Sequence, residues 1–351
     1  MTDVPFVRAS GTPFAVGHAH GAALAGRLRG FLDDGLTRLD RLLPAPRGLA
    51  ELAPAIDAHR AVIEEDVPAL AEEVRGLAAG AGLTEREAWL LQVRREVLGY
   101  SKIPTMGDCT TYGRAADGVL AQTVDLNGDL DDQIAVLHVA GRAGPDALVL
   151  SFGGLLGYLG VNSAGLAVGL NLVLGGDWTP GVPPYLAIRH LLDTARGAAE
   201  AVELLRGMRL SSSRSLTLLD GDELLWVEVL DGELRTHRAP ETVHANHFLH
   251  PDFTPSDELN PFAANSSHRR HAACAERLAS LPPAADAESH FAVLAAPPIR
   301  VPDHGDVRRE RTVAAVVLDP AAGTLHLRPG DPALTTTRTF HLTPTAAPAA
   351  S

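Results

Sequence analysis

Cys109 is the residue of this chain whose position is hardest to explain by packing alone. It stands in Met106-Gly107-Asp108-Cys109-Thr110-Thr111, where a helical region passes into the first strand. A cysteine attacks carbonyl carbon as a thiolate and needs a base, and a cysteine that begins a chain can use its own α-amino group. That amine exists only once the bond between Asp108 and Cys109 is cut. The pattern indicates a nucleophile at Cys109, with a small buried hydrophobe as the alternative.

Other polar patterns in the sequence point to no metal and no cofactor. The acidic residues of 125–136 resemble the start of a calcium loop, but glycine falls at loop position 4 and Val136 stands where the closing glutamate belongs. His244, His247 and His250 stand in a segment whose proline and aromatic residues favour a loop. The glycines of residues 153–157 lack the spacing of a dinucleotide site.

The elements that must position Cys109 fall into a helical part and a mainly stranded part. Apolar residues recur at three- and four-residue steps over residues 13–99, which predicts helices. One helix is predicted over residues 50–79, and Thr84 with Glu87 forms a capping box for the next. From residue 110 the pattern changes to short strands with turn signals, so a hairpin begins at the cysteine. Segregated helices and strands predict an α+β fold.

The later part of the chain repeats short strand signals around one helical run. Strands are predicted at residues 110–112, 119–126, 134–140, 147–152, 157–161, 166–172, 215–219, 224–229, 312–318 and 324–327, and a helix at 184–205. The Pro/Ala/Thr-rich end, residues 343–351, is predicted to be disordered.

Composition narrows the classes of partner. The chain has 351 residues and a formal net charge of −13, which repels nucleic-acid phosphates and anionic membranes, so we expect neither as a partner. Its two cysteines stand in dissimilar surroundings, and residues 1–10 lack the pattern of a signal peptide. We therefore expect a cytoplasmic protein without a disulfide framework.

Several stretches on both sides of Cys109 resemble one family, the acyl-coenzyme A:6-aminopenicillanic acid acyltransferase-like N-terminal-nucleophile (Ntn) hydrolases. The resemblance lies in EVRGLAAGA at residues 73–81, QVRRE at 92–96, CTT at 109–111, AQTVD at 121–125, GVNSAGLAVGLN at 160–171, VHANH at 243–247 and RERT at 309–312. The stretch at 160–171 is also similar to one in bile-salt hydrolases, which with acid ceramidase are more distant relatives. The order and spacing of these stretches are more specific than any one of them.

The resemblance implies a role for several residues. It implies the nucleophile Cys109, self-cleavage between Asp108 and Cys109, Asp125 facing the nucleophile, Asn171 in the active site, Asn246 as oxyanion donor, and Arg309, with Arg308 as alternative, as the site arginine. Ordinary structural roles are the alternatives: an acidic surface turn for Asp125, a turn residue for Asn171 or Asn246, and solvated surface for Arg309.

The same resemblance implies the architecture and the reaction. We expect a four-layer α-β-β-α Ntn-hydrolase fold, with residues 1–108 as a helical pro-segment that stays bound after cleavage and residues 109–342 as the catalytic domain. The expected reaction cleaves or transfers the acyl group of a small amide or thioester through a Cys109 acyl-enzyme. Asp108 stands where the penicillin-forming members have glycine. The alternative is therefore an unprocessed, catalytically silent protein that binds a small ligand.

Overall fold

The computed structural model describes residues 3–43, 45–97, 109–140, 144–221 and 223–342. Its helices are α1 (Pro13–Asp33), α2 (Gly35–Arg38), α3 (Leu49–Asp66), α4 (Pro68–Ala81), α5 (Glu85–Val93), α6 (Pro184–Thr194), α7 (Ala198–Arg206), α8 (Pro261–Ala279) and α9 (Ala287–Leu294). Its strands are β1 (Phe6–Ser10), β2 (Cys109–Arg114), β3 (Val119–Leu126), β4 (Ile134–Ala140), β5 (Ala147–Phe152), β6 (Leu159–Asn162), β7 (Ala167–Leu172), β8 (Arg214–Leu219), β9 (Leu224–Leu230), β10 (Glu233–Arg238), β11 (Glu241–His244), β12 (Arg311–Asp319), β13 (Thr324–Pro329) and β14 (Arg338–His341). Asp108 and the predicted tail, 343–351, lie outside the described residues.

Two sheets form the centre of the molecule. One has eight strands in the order β1-β4-β5-β6-β7-β8-β9-β10, and the other has six in the order β11-β2-β3-β12-β13-β14. Neighbouring strands are antiparallel except for β1 and β4. The sheets pack face to face through β2 and β3 against β7 and β8. Because each is covered on both faces, strands such as β3 and β5 are buried at every position, and their sequences show no clean alternation.

Helices cover the outer face of each sheet. α6 and α7 pack on the eight-stranded sheet, while α8 and α9 pack on the six-stranded sheet. The predicted α+β fold with four α-β-β-α layers is therefore confirmed. Among the helices of the described ranges, none combines the length and the apolar character that a membrane span requires.

The N-terminal segment contributes a strand to the eight-stranded sheet and packs its helices into the same hydrophobic core. β1 pairs in parallel with β4 and so adds an edge strand to the eight-stranded sheet. One hydrophobic core includes Leu28 of α1 and Val74 of α4 together with Leu148 of β5. Thr12 caps the N-terminus of α1: its hydroxyl accepts a hydrogen bond from the Ala15 N–H, and Pro13 is the first residue of the helix.

Three predicted elements differ from the structure. The helix predicted over residues 184–205 is divided into α6 and α7, because the backbone is extended at Ala195 and Gly197. The helix predicted over residues 50–79 is broken into α3 and α4, because Pro68 cannot donate and forces Val67 out of the helical region, to φ −136° and ψ 60°. The segment predicted as purely helical also contains β1, whose inward Val7 and Ala9 give too short an alternation to predict. The capping box of Thr84 and Glu87 is confirmed.

Candidate active site

Cys109 lies in the interior between the two sheets. It is the first residue of β2, pairs with Val124 on β3, and has 1% of its surface exposed. Side chains alternate along a strand, so Cys109 shares its face with Thr111, whose methyl group adjoins Gly169 of β7. The predicted hairpin therefore carries Cys109 at its open end, with the side chain directed toward the eight-stranded sheet.

Two buried asparagines hold the peptide unit of Cys109. Asn171, on β7, donates from Nδ2 to the Cys109 carbonyl oxygen at 3.1 Å. Asn246, just after β11, accepts from the Cys109 backbone N–H through Oδ1 at 3.4 Å. The Nδ2 of Asn246 donates to the Leu172 carbonyl oxygen at 2.9 Å. The structure thus brings both predicted asparagines to Cys109, but the oxygen of Asn246, not its N–H, faces the cysteine.

Asp125 is buried on β3, next to Val124, the residue that pairs with Cys109. The Thr312 hydroxyl donates to its Oδ1 at 2.6 Å. Thr123 lies 3.5 Å from its Oδ2 and also accepts the backbone N–H of Thr110 at 3.1 Å. The register between β3 and β12 shifts between Thr312 and Ala314, and such bulges often re-aim side chains near active sites. This burial excludes an exposed acidic turn.

Arg309 does not occupy the place predicted for it. Arg308 and Arg309 are exposed in the loop before β12, whereas Cys109 is buried, and the Arg309 N–H bonds to the Asp306 carbonyl oxygen. The short RERT match could not distinguish an exposed arginine from a buried one. Its neighbour Glu310 is the residue that turns inward.

Arg270, on α8, is the arginine that contacts Cys109. Its Nη1 donates to the Cys109 carbonyl oxygen at 2.7 Å and to the Thr110 hydroxyl at 2.9 Å. Its Nη2 donates to Asn246 Oδ1 at 2.6 Å. One feature of the sequence indicates that Arg270 has a partner inside the protein. Ser267 and Arg270 interrupt the otherwise apolar buried stripe of α8, where a polar side chain needs an internal partner.

Tyr158 is the second residue that the sequence analysis missed. Its hydroxyl oxygen lies 3.7 Å from Cys109 Sγ, within hydrogen-bonding range of a sulfur atom. Its ring meets Phe152 edge-on, with centroids 5.1 Å apart, and stacks on Tyr185 at 5.5 Å. A Cβ atom on Gly157 would lie 2.6 Å from the Tyr185 carbonyl oxygen, so glycine there lets α6 approach the tyrosine.

A cavity of about 40 Å³ adjoins Tyr158. Its lining includes Phe31 and Leu91 from the N-terminal helices, together with Phe152, Tyr158 and Tyr185. The aromatic walls suit an apolar group, and both halves of the chain are needed to enclose it.

His244 and His247 could serve as a base in place of an α-amine, but each is hydrogen-bonded to a group other than Cys109. His244 Nε2 lies 2.8 Å from Glu228 Oε1, and its Nδ1 lies 2.9 Å from the Ala245 carbonyl oxygen. His247 Nδ1 lies 2.7 Å from the Ser267 hydroxyl. Burial, followed by the nearby His268, lowers the pKa of His247 to about 3. Within the described ranges, no three or more His, Cys, Asp or Glu side chains are grouped to hold a metal ion.

Known structures similar to this one include an acylase and a hydrolase, at low sequence identity. Penicillin V acylase from Agrobacterium tumefaciens is 13% identical with a TM-score of 0.46, and covers 67% of this chain and 86% of its own. A variant of conjugated bile acid hydrolase from Clostridium perfringens is 9% identical with a TM-score of 0.48, covering 68% of this chain and 98% of its own.

Sequence comparison gives the family. The 40 kDa form of acyl-coenzyme A:6-aminopenicillanic-acid-acyltransferase from Emericella nidulans is 26% identical over 261 residues, which are 73% of this chain and 72% of that protein. A sequence model described as "Acyl-coenzyme A:6-aminopenicillanic acid acyl-transferase" matches residues 113–334, from the end of β2 to just beyond β13. That match spans more than half of the chain and confirms the resemblance seen in its short motifs. The chain therefore belongs to the acyl-coenzyme A:6-aminopenicillanic acid acyl-transferase family, with an Ntn-hydrolase fold.

Proposed function

We propose that this protein is a self-cleaving cysteine amidohydrolase or acyltransferase with Cys109 as its nucleophile. One observation carries the proposal: the backbone nitrogen and carbonyl of Cys109 are each held by a buried asparagine, Asn246 and Asn171. A cysteine that serves only to fill space needs no such support on both sides. The freed nitrogen of a cut chain would remain beside Asn246 Oδ1, in reach of its own thiol.

The first reaction is cleavage of the chain itself. The Cys109 thiol attacks the carbonyl carbon of Asp108, the carbon–nitrogen bond breaks, and the amine keeps the proton that the sulfur gave up. Water then hydrolyses the resulting thioester, which leaves a carboxyl group on Asp108 and restores the thiol. The products are two chains, residues 1–108 and 109–351.

The second reaction uses the new α-amine as base. It takes the thiol proton, and the sulfur attacks the acyl carbon of an amide or thioester. The leaving group departs with that proton, and water or an amine then removes the acyl group from the sulfur. Asn246 and Asp125 orient the amine, while Asn171 and Arg270 hold the Cys109 carbonyl and keep the sulfur in place. Arg270 takes the part that the sequence assigned to Arg309.

The proposed substrate is a small acylated amine or acyl thioester, handled in a reducing, cytoplasmic setting. Both cysteines are free thiols, which fits that setting. Relatives named for penicillin V, conjugated bile acid and acyl-coenzyme A with 6-aminopenicillanic acid supply a rational panel of probes. Release of free acid from the panel would indicate a hydrolase, and acylation of 6-aminopenicillanic acid a transferase.

Intact-mass measurement of the purified protein tests the proposal. We expect masses for residues 1–108 and 109–351 in the wild type and one uncut mass in Cys109→Ala. Cys274→Ala is the matched control, because this buried thiol on α8 lies outside the proposed machinery and should leave cleavage unchanged. An uncut wild type after prolonged incubation would contradict self-cleavage and favour a silent ligand-binding protein.

A further inference from the structure

We infer that Tyr158 is a further catalytic residue of the proposed reaction: its hydroxyl donates a hydrogen bond to the Cys109 sulfur and stabilises the thiolate. The inference rests on the proposed nucleophile and adds a group that the shared motifs do not name. The two side chains are almost completely buried, with 1% exposure for Cys109 and 2% for Tyr158. The contact of 3.7 Å between Oη and Sγ is therefore shielded from competing water.

The ring of Tyr158 is fixed on two sides. It stacks on Tyr185 of α6 at an interplanar angle of 20° and meets Phe152 of β5 at 67°. A phenol ring has only two side-chain torsions, so these contacts leave its hydroxyl little freedom to move from the sulfur.

The backbone before Tyr158 is fixed by the N-terminal segment. Gln92 of α5 donates from Nε2 to the Gly154 carbonyl oxygen at 2.9 Å and accepts the Leu156 N–H through Oε1 at 3.0 Å. The Leu156 carbonyl oxygen accepts from Arg189 at 3.0 Å, and Arg189 is paired with Glu73 of α4. Side chains from α4 and α5 thus hold the loop that presents the tyrosine.

The relative acidity of the Cys109 thiol and the Tyr158 phenol decides which of them loses its proton. A thiol with an ordinary pKa near 8.5 loses its proton before a phenol with a pKa near 10. The α-amine therefore removes the thiol proton, Tyr158 keeps its own, and its O–H points at the negative sulfur. A hydrogen bond to a charged acceptor favours the charged form, so it lowers the pKa of the thiol.

Other ionisable groups around Cys109 also act on the sulfur and must be held constant. In the part of the chain that the structure describes they are Asp125 on β3, Tyr185 on α6, Arg270 on α8, and Arg94 and Arg95, which follow α5 in the cavity wall. Removing only the Tyr158 oxygen leaves each of them in place.

A titration of the thiolate tests the inference. The ultraviolet absorbance of wild type minus Cys109→Ser reports the sulfur alone, because burial raises the pKa of Cys274 well above its usual range. We expect Tyr158→Phe to move this titration upward by about 1 to 2 pH units, the effect of losing one hydrogen bond to a charged acceptor. Tyr112→Phe is the matched control, since that buried hydroxyl binds His290 on the opposite face of β2 and its loss should not move the titration.

Each result of the titration either supports the role of Tyr158 or overturns it. An unchanged titration in a Tyr158→Phe protein that melts at the wild-type temperature would overturn the inference. If the variant does not fold, fluorotyrosine in place of the natural tyrosines provides a stronger donor and must move the titration to lower pH, while no movement overturns the inference. The titration follows the sulfur and not turnover, so it can be read even in a protein that fails to cleave itself. Failure of the proposed function and failure of this inference are thus distinguishable.

Discussion

At the scale of single residues, the orientation of the Asn246 amide decides how the site is interpreted. Its Oδ1 accepts from Cys109 and from Arg270, and its Nδ2 is already bound to the Leu172 carbonyl oxygen. The amide nitrogen carries two N–H groups, and the bond to the Leu172 carbonyl oxygen occupies one of them. Through Oδ1, Asn246 is placed to hold the backbone nitrogen of Cys109, a role that the sequence motif alone could not distinguish from oxyanion stabilisation.

We expect Asn246→Ala to lower kcat by about two powers of ten on the best substrate of the probe panel, with KM nearly unchanged. The reason is that the α-amine and the thiol lose their fixed geometry, whereas the lining of the cavity beside Tyr158 is unchanged. Turnover is divided by the cleaved fraction from intact mass, so that slow maturation is not counted as slow chemistry. Asn246→Asp, which keeps an acceptor oxygen, should fall between wild type and alanine. A raised KM with normal kcat would make Asn246 a substrate-binding residue.

Residues of the site differ in how far the sequence could predict them. Cys109, Asp125, Asn171 and Asn246 were expected at the site because each lies in a short stretch that resembles the family. Arg270 stands 161 positions from Cys109, and its contact exists only because α8 packs across β2. The contact of Tyr158 with the sulfur likewise depends on how the two sheets meet. Pairings of this kind are properties of tertiary packing, and no spacing in the sequence encodes them.

At the scale of elements, α1 and α4 approach unusually closely. A Cβ atom on Gly76 or Gly80 of α4 would lie 2.1 Å from the Phe14 or His18 carbonyl oxygen of α1, and Gly17 and Gly21 are equally confined by α4. Glycine costs helix stability, so its use at four facing positions is explained by the close contact that it permits. The pair supports α5, which follows α4 and carries Gln92, so the glycines act on the site through packing.

We expect Gly76→Ala to lower the free energy of unfolding by about 1–3 kcal/mol or more, because the backbones must move apart. Gly26→Ala on the same α1 helix is the control. A Cβ there meets nothing within 4 Å, and alanine should stabilise the helix by about 0.5–1 kcal/mol. Urea unfolding of both variants in the Cys109→Ala background measures the difference within one uncut chain. Equal stabilisation by both alanines would show that the two helices are not confined to each other.

At the scale of the whole molecule, the layer order could be predicted and the sheet edges could not. Buried strands such as β5 and β8 gave strong signals, and a helical first part followed by strands indicated α+β layers. The strands absent from the prediction are β1, β10, β11 and β14, which are the edge strands of the two sheets, and β10 and β14 have no buried residue. Edge strands take their structure from a neighbour distant in sequence, as β1 does from β4, and local pattern carries little of that information.

The continuous core that joins the N-terminal helices to the eight-stranded sheet also contains His20 of α1, whose ring nitrogens have no hydrogen-bond partner within the described ranges. Burial, with the charge of Arg189 as a lesser cause, lowers its pKa to about 3. The unfolded chain takes up a proton on this residue below about pH 6.5, whereas the folded protein does not until near pH 3. The unfolded state then binds more protons, so stability falls as pH falls across that window, by up to about 1.4 kcal/mol per pH unit.

We therefore expect the free energy of unfolding of the Cys109→Ala chain to fall between pH 7 and pH 5, and His20→Leu to reduce that loss by up to about 2 kcal/mol. His247, also held neutral by burial, keeps part of the pH dependence in the variant. His18→Leu is the matched control, because His18 is an exposed histidine on the same helix. Urea titrations at both pH values give the comparison. If His20→Leu and His18→Leu retain the same pH dependence as the parent, then His20 is protonated within the folded core and must have a partner there.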